Sequence, residues 1–398
     1  MTTFDFKTGV LSPLVTFSRP SIGTRYNSSG LLETISSGQP RFGYNPISLA
    51  ALGLLIEEQR TNLIIRSSEF NDAVWSKTNS SITANAVVSP DGTSNADKIT
   101  ESVASGVHNT STQTIAISNA TAYTASIYLK AAERTLVAWY AGSPGQGAIF
   151  NLANGTVFGS IVAPPTSSSI TSVGNGWYHV SITFTSTTTA TAMSVFLCNG
   201  AGAFSYTGDG TSGAYLYGAQ LEAGSFATSY IPTEASQVTR NADIATITGS
   251  NFTSFWNASQ GGAQVQALPS TVSGTRPLVQ YDDGTANEII ALRGDTTNPE
   301  LYIVDGGTPQ AQLDAGTIAA NTAYSMTGWW ATNDCRARKD SGAVVTDATA
   351  TIPAVTQARI GSDGTNYLNG IIASINYYAA FSRQIYTRRK NKVFSPIL

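Results

Sequence analysis

The chain has 398 residues, a formal net charge of −3 and 12% charged residues, about half the usual share. That balance excludes the basic field of a nucleic-acid-binding protein and the charge density of a disordered chain. Abundant Ser and Thr, with 36 Gly and 17 Tyr, suit pleated strands joined by tight turns, so the composition predicts a soluble all-β protein.

The first residues, Met1-Thr2-Thr3-Phe4-Asp5-Phe6-Lys7, lack the basic and apolar regions of a signal peptide. The longest apolar run, Ile47 to Ile56, is broken by Ser48 and Gly53 and is too short to span a bilayer. Neither export nor membrane insertion is expected. Residues 1–65 carry Arg19, Arg25, Glu33, Arg41, Glu57, Glu58 and Arg60, four prolines and no Trp. Such a segment has little core of its own and is expected to pack on the next domain or on another subunit.

Residues 66–235 alternate apolar and polar positions, as in Ala122 to Lys130, Thr135 to Tyr140, Trp177 to Thr185, Ala192 to Leu197 and Gly213 to Leu221. Gly, Asn and Ser clusters separate these runs, the pattern of a jelly roll or sandwich. Residues 236–398 repeat the style, with strands expected at Val265 to Leu268, Glu288 to Arg293, Glu300 to Val304, Tyr324 to Trp330 and Gly370 to Tyr378. Phe381 to Lys390 reads as a short helix with Ser382 as N-cap. The cations Arg388, Arg389, Lys390 and Lys392 read as a solvated terminal face. The fold class is therefore all-β, two tandem sandwiches after a small N-terminal segment.

Chemistry-bearing residues are sparse. Cys198 and Cys335 are far apart and expected to be free thiols, and no Cys/His zinc spacing exists. His179 sits in an alternating strand, and His108 in a polar stretch read as a loop tip or strand end. Neither adjoins a nucleophile elbow. Hydrolysis of a glycosidic bond would need two carboxylates across a cleft. Asp282, Asp283, Asp295 and Asp305 fall instead in Gly- and Thr-rich stretches, where Asp commonly caps its own turn. No catalytic residue, metal or cofactor is assigned.

Several ordered motifs agree with one another. Leu54-Leu55-Ile56-Glu57-Glu58-Gln59-Arg60-Thr61-Asn62-Leu63 is followed by Ser67-Ser68-Glu69-Phe70-Asn71-Asp72-Ala73-Val74-Trp75. Pro90-Asp91-Gly92-Thr93 comes next, then Gly218-Ala219-Gln220-Leu221-Glu222, Tyr230-Ile231-Pro232-Thr233 and Val238-Thr239-Arg240. Together, over roughly residues 10–245, they resemble a module of bacteriophage and gene-transfer-agent surface proteins, the head-spike fibres and some tail fibres. The opening, with Asn62-Leu63-Ile64 ahead of Phe70 and Trp75, is also similar to secreted carbohydrate-binding modules. Those modules often hold calcium through an Asp in the closing strand. Here Tyr215 to Gln220 has none, and Glu69, Asp72 and Asp209 read as surface and turn residues. Asn333-Asp334, Ser341 to Val345, Arg359 to Ser362 and Asn369 to Ile372 give the C-terminal sandwich a concanavalin-A-like or laminin-G-like look.

The resemblance implies a virion surface protein made in the host cytoplasm. Residues 1–65 would anchor it to capsid, spike-base or tail proteins. Residues 66–235 and 236–398 would bind host surface polysaccharide for adsorption. It implies a homo-oligomer, a trimer by analogy with fibres, with neither nucleic acid nor membrane as partner. A capsid decoration protein without sugar binding and a depolymerase are the competing readings. Sugar binding needs flat apolar rings and hydroxyls or amides. Trp75 and Trp177 read as core, and Trp256 as packing at a domain junction. In Trp139-Tyr140 and Trp329-Trp330, adjacent strand positions face opposite ways, so one ring of each pair is expected to face a ligand.

Overall fold

A computed structural model describes residues 1–380. Phe381 to Lys390, expected to form a helix, and the cations of that end lie outside the described residues. The regular structure of the described chain is nearly all strand, with short helical turns at Phe6–Thr8 and Gly249–Thr253. It divides into two units, one of residues 18–52 and 57–243, the other of residues 1–17, 53–56 and 244 onward.

The first unit is a jelly-roll-like sandwich of two six-stranded antiparallel sheets. One sheet has the order Ser167–Gly174, Trp177–Thr185, Ala122–Ala131, Gly213–Ala223, Ala96–Glu101, Ser80–Val87. The other runs Thr156–Val162, Gln146–Asn151, Leu136–Ala141, Met193–Cys198, Asn109–Thr112, Trp75–Thr78. Strand alternation sends Ile127, Leu129, Val180 and Ile182 from one sheet against Val137, Trp139, Phe150 and Val195 from the other, and these form the main core. Trp75 belongs to this core at 1% exposure, as its place in the sequence predicts.

The outward side of the first sheet is covered as well. Tyr128, Trp177, Tyr217 and Tyr230 form a second cluster under Leu32 and Tyr26. Here the structure revises the expected boundaries, because residues 1–65 do not stand apart as one segment. Residues 18–52 belong to the jelly-roll unit. Thr24 Oγ1 donates to Tyr230 O at 2.5 Å, and Leu32 N bonds Pro90 O at 2.9 Å. Arg19 and Arg41, both fully buried, converge on Asp243, and Arg41 also reaches Glu57 at 2.7 Å. Arg240 pairs with Glu57 at 2.6 Å, closing a network of three guanidiniums and two carboxylates. The charges Arg19, Arg41 and Glu57 of this stretch are its internal fastening. A segment without its own core becomes ordered by packing a separate two-stranded hairpin and its ion pairs onto a neighbour.

The second unit is another sandwich. One sheet contains Val345–Asp347, Cys335–Lys339, Tyr324–Ala331, Gln260–Pro269 and Gly370–Tyr378 in that order. Thr2–Asp5 and residues 54–56 pair onto Gly370–Tyr378. The other sheet contains Ile244–Thr248, Gln357–Ile360, Thr275–Asp282, Ile289–Asp295, Asn298–Asp305 and Thr308–Asp314. Between them Trp256 stacks with Phe252 at 5.0 Å and meets Tyr281, Trp330 and Tyr377 at 4.8, 6.0 and 5.4 Å. Trp256, half-buried, thus packs on the aromatic rings of this unit. Gly328 is required here, since a Cβ would lie 2.4 Å from Leu292 Cδ2.

Candidate functional site

Alternation fixes the two faces of strand Leu136–Ala141. Val137, Trp139 and Ala141 point into the main core, and Leu136, Ala138 and Tyr140 point the other way. The same outward face receives Ile149, Ile161 and Cys198, with Phe196 and Phe204 packed over them. Tyr140 meets Phe196 edge-on at 5.7 Å, and Phe196 meets Phe204 edge-on at 5.9 Å. Phe158, 49% exposed, closes one border. It lies against Gly202, where a Cβ would stand 2.5 Å from the ring and where φ is +82°.

The strand register turns this patch into a graded surface. Tyr140 pairs across to Ser194, Ser194 to Ser111, and Ser111 to Ser76. One strand-to-strand row therefore passes from an aromatic ring to three hydroxyls. Strands lie about 4.8 Å apart, so the row is about 14 Å long. The adjacent row runs Ala138, Phe196, Asn109, Thr78. Ser194 and Ser111 share a hydrogen bond of 2.7 Å, and Asn109 Nδ2 donates to Ser111 Oγ at 2.8 Å. These side chains are held in place before any ligand arrives. Burial pushes the Cys198 thiol up to about 12, so it is a neutral apolar filler, not a nucleophile.

The four sequence-selected aromatics separate sharply. Trp139 is 0% exposed, Trp330 0% and Trp329 2%. A ring that stacks on a pyranose must show a face to solvent, so these three are corrected to structural residues. Trp330 fills the aromatic core of the second unit. Trp329 takes the opposite face, as expected, but lies over Gly262, whose Cβ would be 2.7 Å from the ring, with Arg336 paired beside it. Only Tyr140 is half-buried at an open face. Phe196, Phe158, Ser194, Ser111 and Asn109 escaped the sequence reading. The run Met193-Ser194-Val195-Phe196-Leu197 carried a signal, because its alternation puts Phe196 on the side opposite the core.

The buried carboxylates are engaged, and several exposed ones as well. Glu101 is bonded by Arg134 and by the Tyr206 hydroxyl at 2.6 Å. Asp282 ends a strand, is 1% exposed and caps its own turn as expected, accepting from Gly284 N at 2.8 Å, but it also accepts from Arg359 and Gln280 at 2.9 and 3.0 Å. Glu300 accepts from Arg293 at 2.6 Å, and the Arg293 guanidinium lies 3.7 Å from the Tyr302 ring centre. Glu69 and Asp72 pair with Arg66, and Asp209 caps Thr211 and Ser212. His108 sits between the strands Ser105–Val107 and Asn109–Thr112, so of its two expected places it takes the strand end. It is fully buried, with Nδ1 and Nε2 facing Asn79 O and Tyr206 O at 2.8 and 3.1 Å. Among the described residues, no group of three or more His, Cys, Asp or Glu is placed to hold a metal ion. No described helix is long and apolar enough to cross a membrane.

No family model matches the chain, and no curated protein matches it. Among solved structures it is similar to domains LG4-5 of the mouse laminin α1 chain, with TM-score 0.24 and 9% identity, covering 79% of this chain and 90% of that one. It is similar to the extracellular region of zebrafish Gpr126/Adgrg6, with TM-score 0.26 and 12% identity over 73% of this chain and 36% of that one, so it spans about a third of that protein. The tandem CBM22 domain of Paenibacillus barcinonensis Xyn10C gives TM-score 0.25 and 9% identity over 80% of this chain and 98% of that one. Likenesses this distant assign no role to the chain.

Proposed function

We propose that the chain is a non-enzymatic carbohydrate-binding surface protein, and that the outward face carrying Tyr140 is where polysaccharide lies. The observation that carries this reading is the row Tyr140, Ser194, Ser111, Ser76. A sugar chain presents apolar C–H faces and hydroxyl edges in alternation, and this row offers the Tyr140 ring at one end and the hydroxyls of Ser111 and Ser76 at the other, with the buried Ser194 bonded to Ser111 between them. The engagement of the buried carboxylates by Arg, amide and hydroxyl partners supports binding over hydrolysis.

The placement on a virion, as a head-spike or tail fibre that adsorbs to host polysaccharide, is supported by the ordered motifs of residues 10–245. On that reading the chain works as a homo-oligomer, a trimer by analogy, attached to other virion proteins. Sedimentation of a stable folded monomer at micromolar concentration would sink the oligomer. The binding test is co-sedimentation of the full chain with purified host capsular polysaccharide, alongside Tyr140→Ala and Phe196→Ala. Retention of the parent, loss in both variants and unchanged polymer length are expected. Shortened polymer would establish a depolymerase. Absence of binding to any surface polysaccharide would leave the decoration-protein reading standing.

A further inference from the structure

The jelly-roll unit has a concavity that shares no residue with the Tyr140 face. It is an open groove of about 520 Å³ between Gln59 to Leu63 and Ala116 to Ser118. Through Leu63 and Ala116 it continues into a smaller hollow of about 130 Å³ that adds Gln113, Thr114 and Gln237. Together they fall in the size range of small-ligand sites.

The wall is rigid for a reason visible in the sequence. Asn62, fully buried, makes four hydrogen bonds. Its Nδ2 donates to Ala219 O and Ile231 O at 3.1 and 2.9 Å, and its Oδ1 accepts from Ile64 N and Leu221 N, both at 3.1 Å. That fixes the backbone on both sides of Leu63, which lines the groove. The Asn62-Leu63-Ile64 motif therefore builds this wall. The opposite wall is pinned by Ser118 N donating to the Tyr123 hydroxyl at 2.9 Å, while Ile115 and Ile117 turn inward.

Two features define the ligand. The polar lining is amide and hydroxyl, and the exposed side chains of Gln113, Thr114 and Ser118 make no hydrogen bond among the described residues. The one charged lining residue, Arg60, already has a counter-ion, although its buried Nε makes no hydrogen bond. It is ion-paired with Glu58, stands 3.9 Å from Glu222 and covers the Phe226 ring at 5.0 Å. An anion would have to displace Glu58, whereas a neutral ligand meets Leu63, Ala116 and Ala223 with free amides and hydroxyls beside them.

We infer that this groove is a second binding site, for the neutral, hydroxyl-rich end of a sugar chain, one or two pyranose rings long. It rests on the carbohydrate reading for its ligand class but on separate residues. The test is an NMR titration of the full chain with methyl α-glucoside, methyl β-galactoside, N-acetylglucosamine and glucuronate. At least one neutral probe should shift resonances of residues 59–63 and 113–118, with glucuronate weaker than the best of them. Ala116→Trp, which fills the groove from an exposed position, should weaken that probe at least tenfold, about 1.4 kcal/mol. Tyr140→Ala should leave it unchanged. Gln113→Ala, expected to weaken the same probe, serves if Ala116→Trp does not fold. Silence of these resonances with every probe, preference for glucuronate, or unaltered binding in the groove variants would overturn the inference. Polymer binding that survives Tyr140→Ala would count against the aromatic face alone and leave the groove standing.

Discussion

Two adjacent aromatic pairs sit in comparable strands of the two sandwiches and end differently. In Leu136–Ala141, Trp139 enters the core and Tyr140 reaches a half-open face beside Phe196. In Tyr324–Ala331, Trp330 enters the core but Trp329, on the opposite face, is closed off as well. The pleat decides that neighbours part company. It does not decide whether the outward side meets solvent, because that depends on what the rest of the chain lays over the sheet.

That contrast can be broken most directly by truncation. Trp139→Ala and Trp330→Ala should each cost about 3–5 kcal/mol, read as a shift in the urea midpoint. Trp329→Ala should fall toward the same range. A Trp329 variant as stable as the parent would mean that its ring is a surface feature after all.

Nearly as large an effect is expected at the fastening of residues 18–52. Asp243→Asn removes the carboxylate that Arg19 and Arg41 share, leaving two buried guanidiniums underpaired. A loss of about 3–5 kcal/mol is expected. Chemical denaturation showing less than about 1 kcal/mol would mean that this buried network contributes little.

Acid should loosen the same unit. Burial alone would raise the Glu57 carboxyl, but the Arg240 and Arg41 guanidiniums and the Ser229 hydrogen bonds overcome it and hold the pKa down at about 2. The unfolded chain binds this proton more readily than the folded one. The stabilisation is therefore complete above pH 4.5 and fades as pH falls toward about 2. Burial against Tyr128 pushes His179 down to about 4, so its contribution fades over a higher window, from pH 6.5 to about 4. Melting temperature against pH should show both limbs. His179→Gln should flatten the upper limb, and Glu57→Gln should lower stability at neutral pH while flattening the lower one. Parallel curves for parent and variants would refute the assignment.

The smallest structural effect belongs to Tyr140. Tyr140→Ala should cost about 1 kcal/mol or less, since the ring is half-exposed, yet abolish retention on polysaccharide. A large stability loss would put Tyr140 in the same class as Trp139. The buried thiols give a control for fold integrity. Burial pushes Cys198 up to about 12 and Cys335 to about 11, so both should titrate only in denaturant. Rapid reaction of the native protein would show that one of the sandwiches opens.

Local chemistry made much of this protein legible from its residues. Period-two alternation and Gly-, Asn- and Asp-rich turns announced strands such as Trp177–Thr185 and Gly370–Tyr378, because side-chain direction in a strand is set residue by residue. Trp75 takes its expected place in the main core, whereas Trp177 is buried on the outward side, under residues 18–52. Tertiary structure decided the rest. Which strands pair is a long-range choice, and it alone put Tyr140 in line with Ser194, Ser111 and Ser76, the two hydrogen-bonded serines of that row lying 83 positions apart in the chain. The cover over a sheet is likewise non-local: residues 18–52 close one outward face of the jelly roll, and Gly262 with Arg336 frames the ring of Trp329. Charge behaved in the same way. Nothing in the sequence pairs Arg19, Arg41, Glu57, Arg240 and Asp243, which are interior because folding brings opposite charges within hydrogen-bonding reach to offset their desolvation.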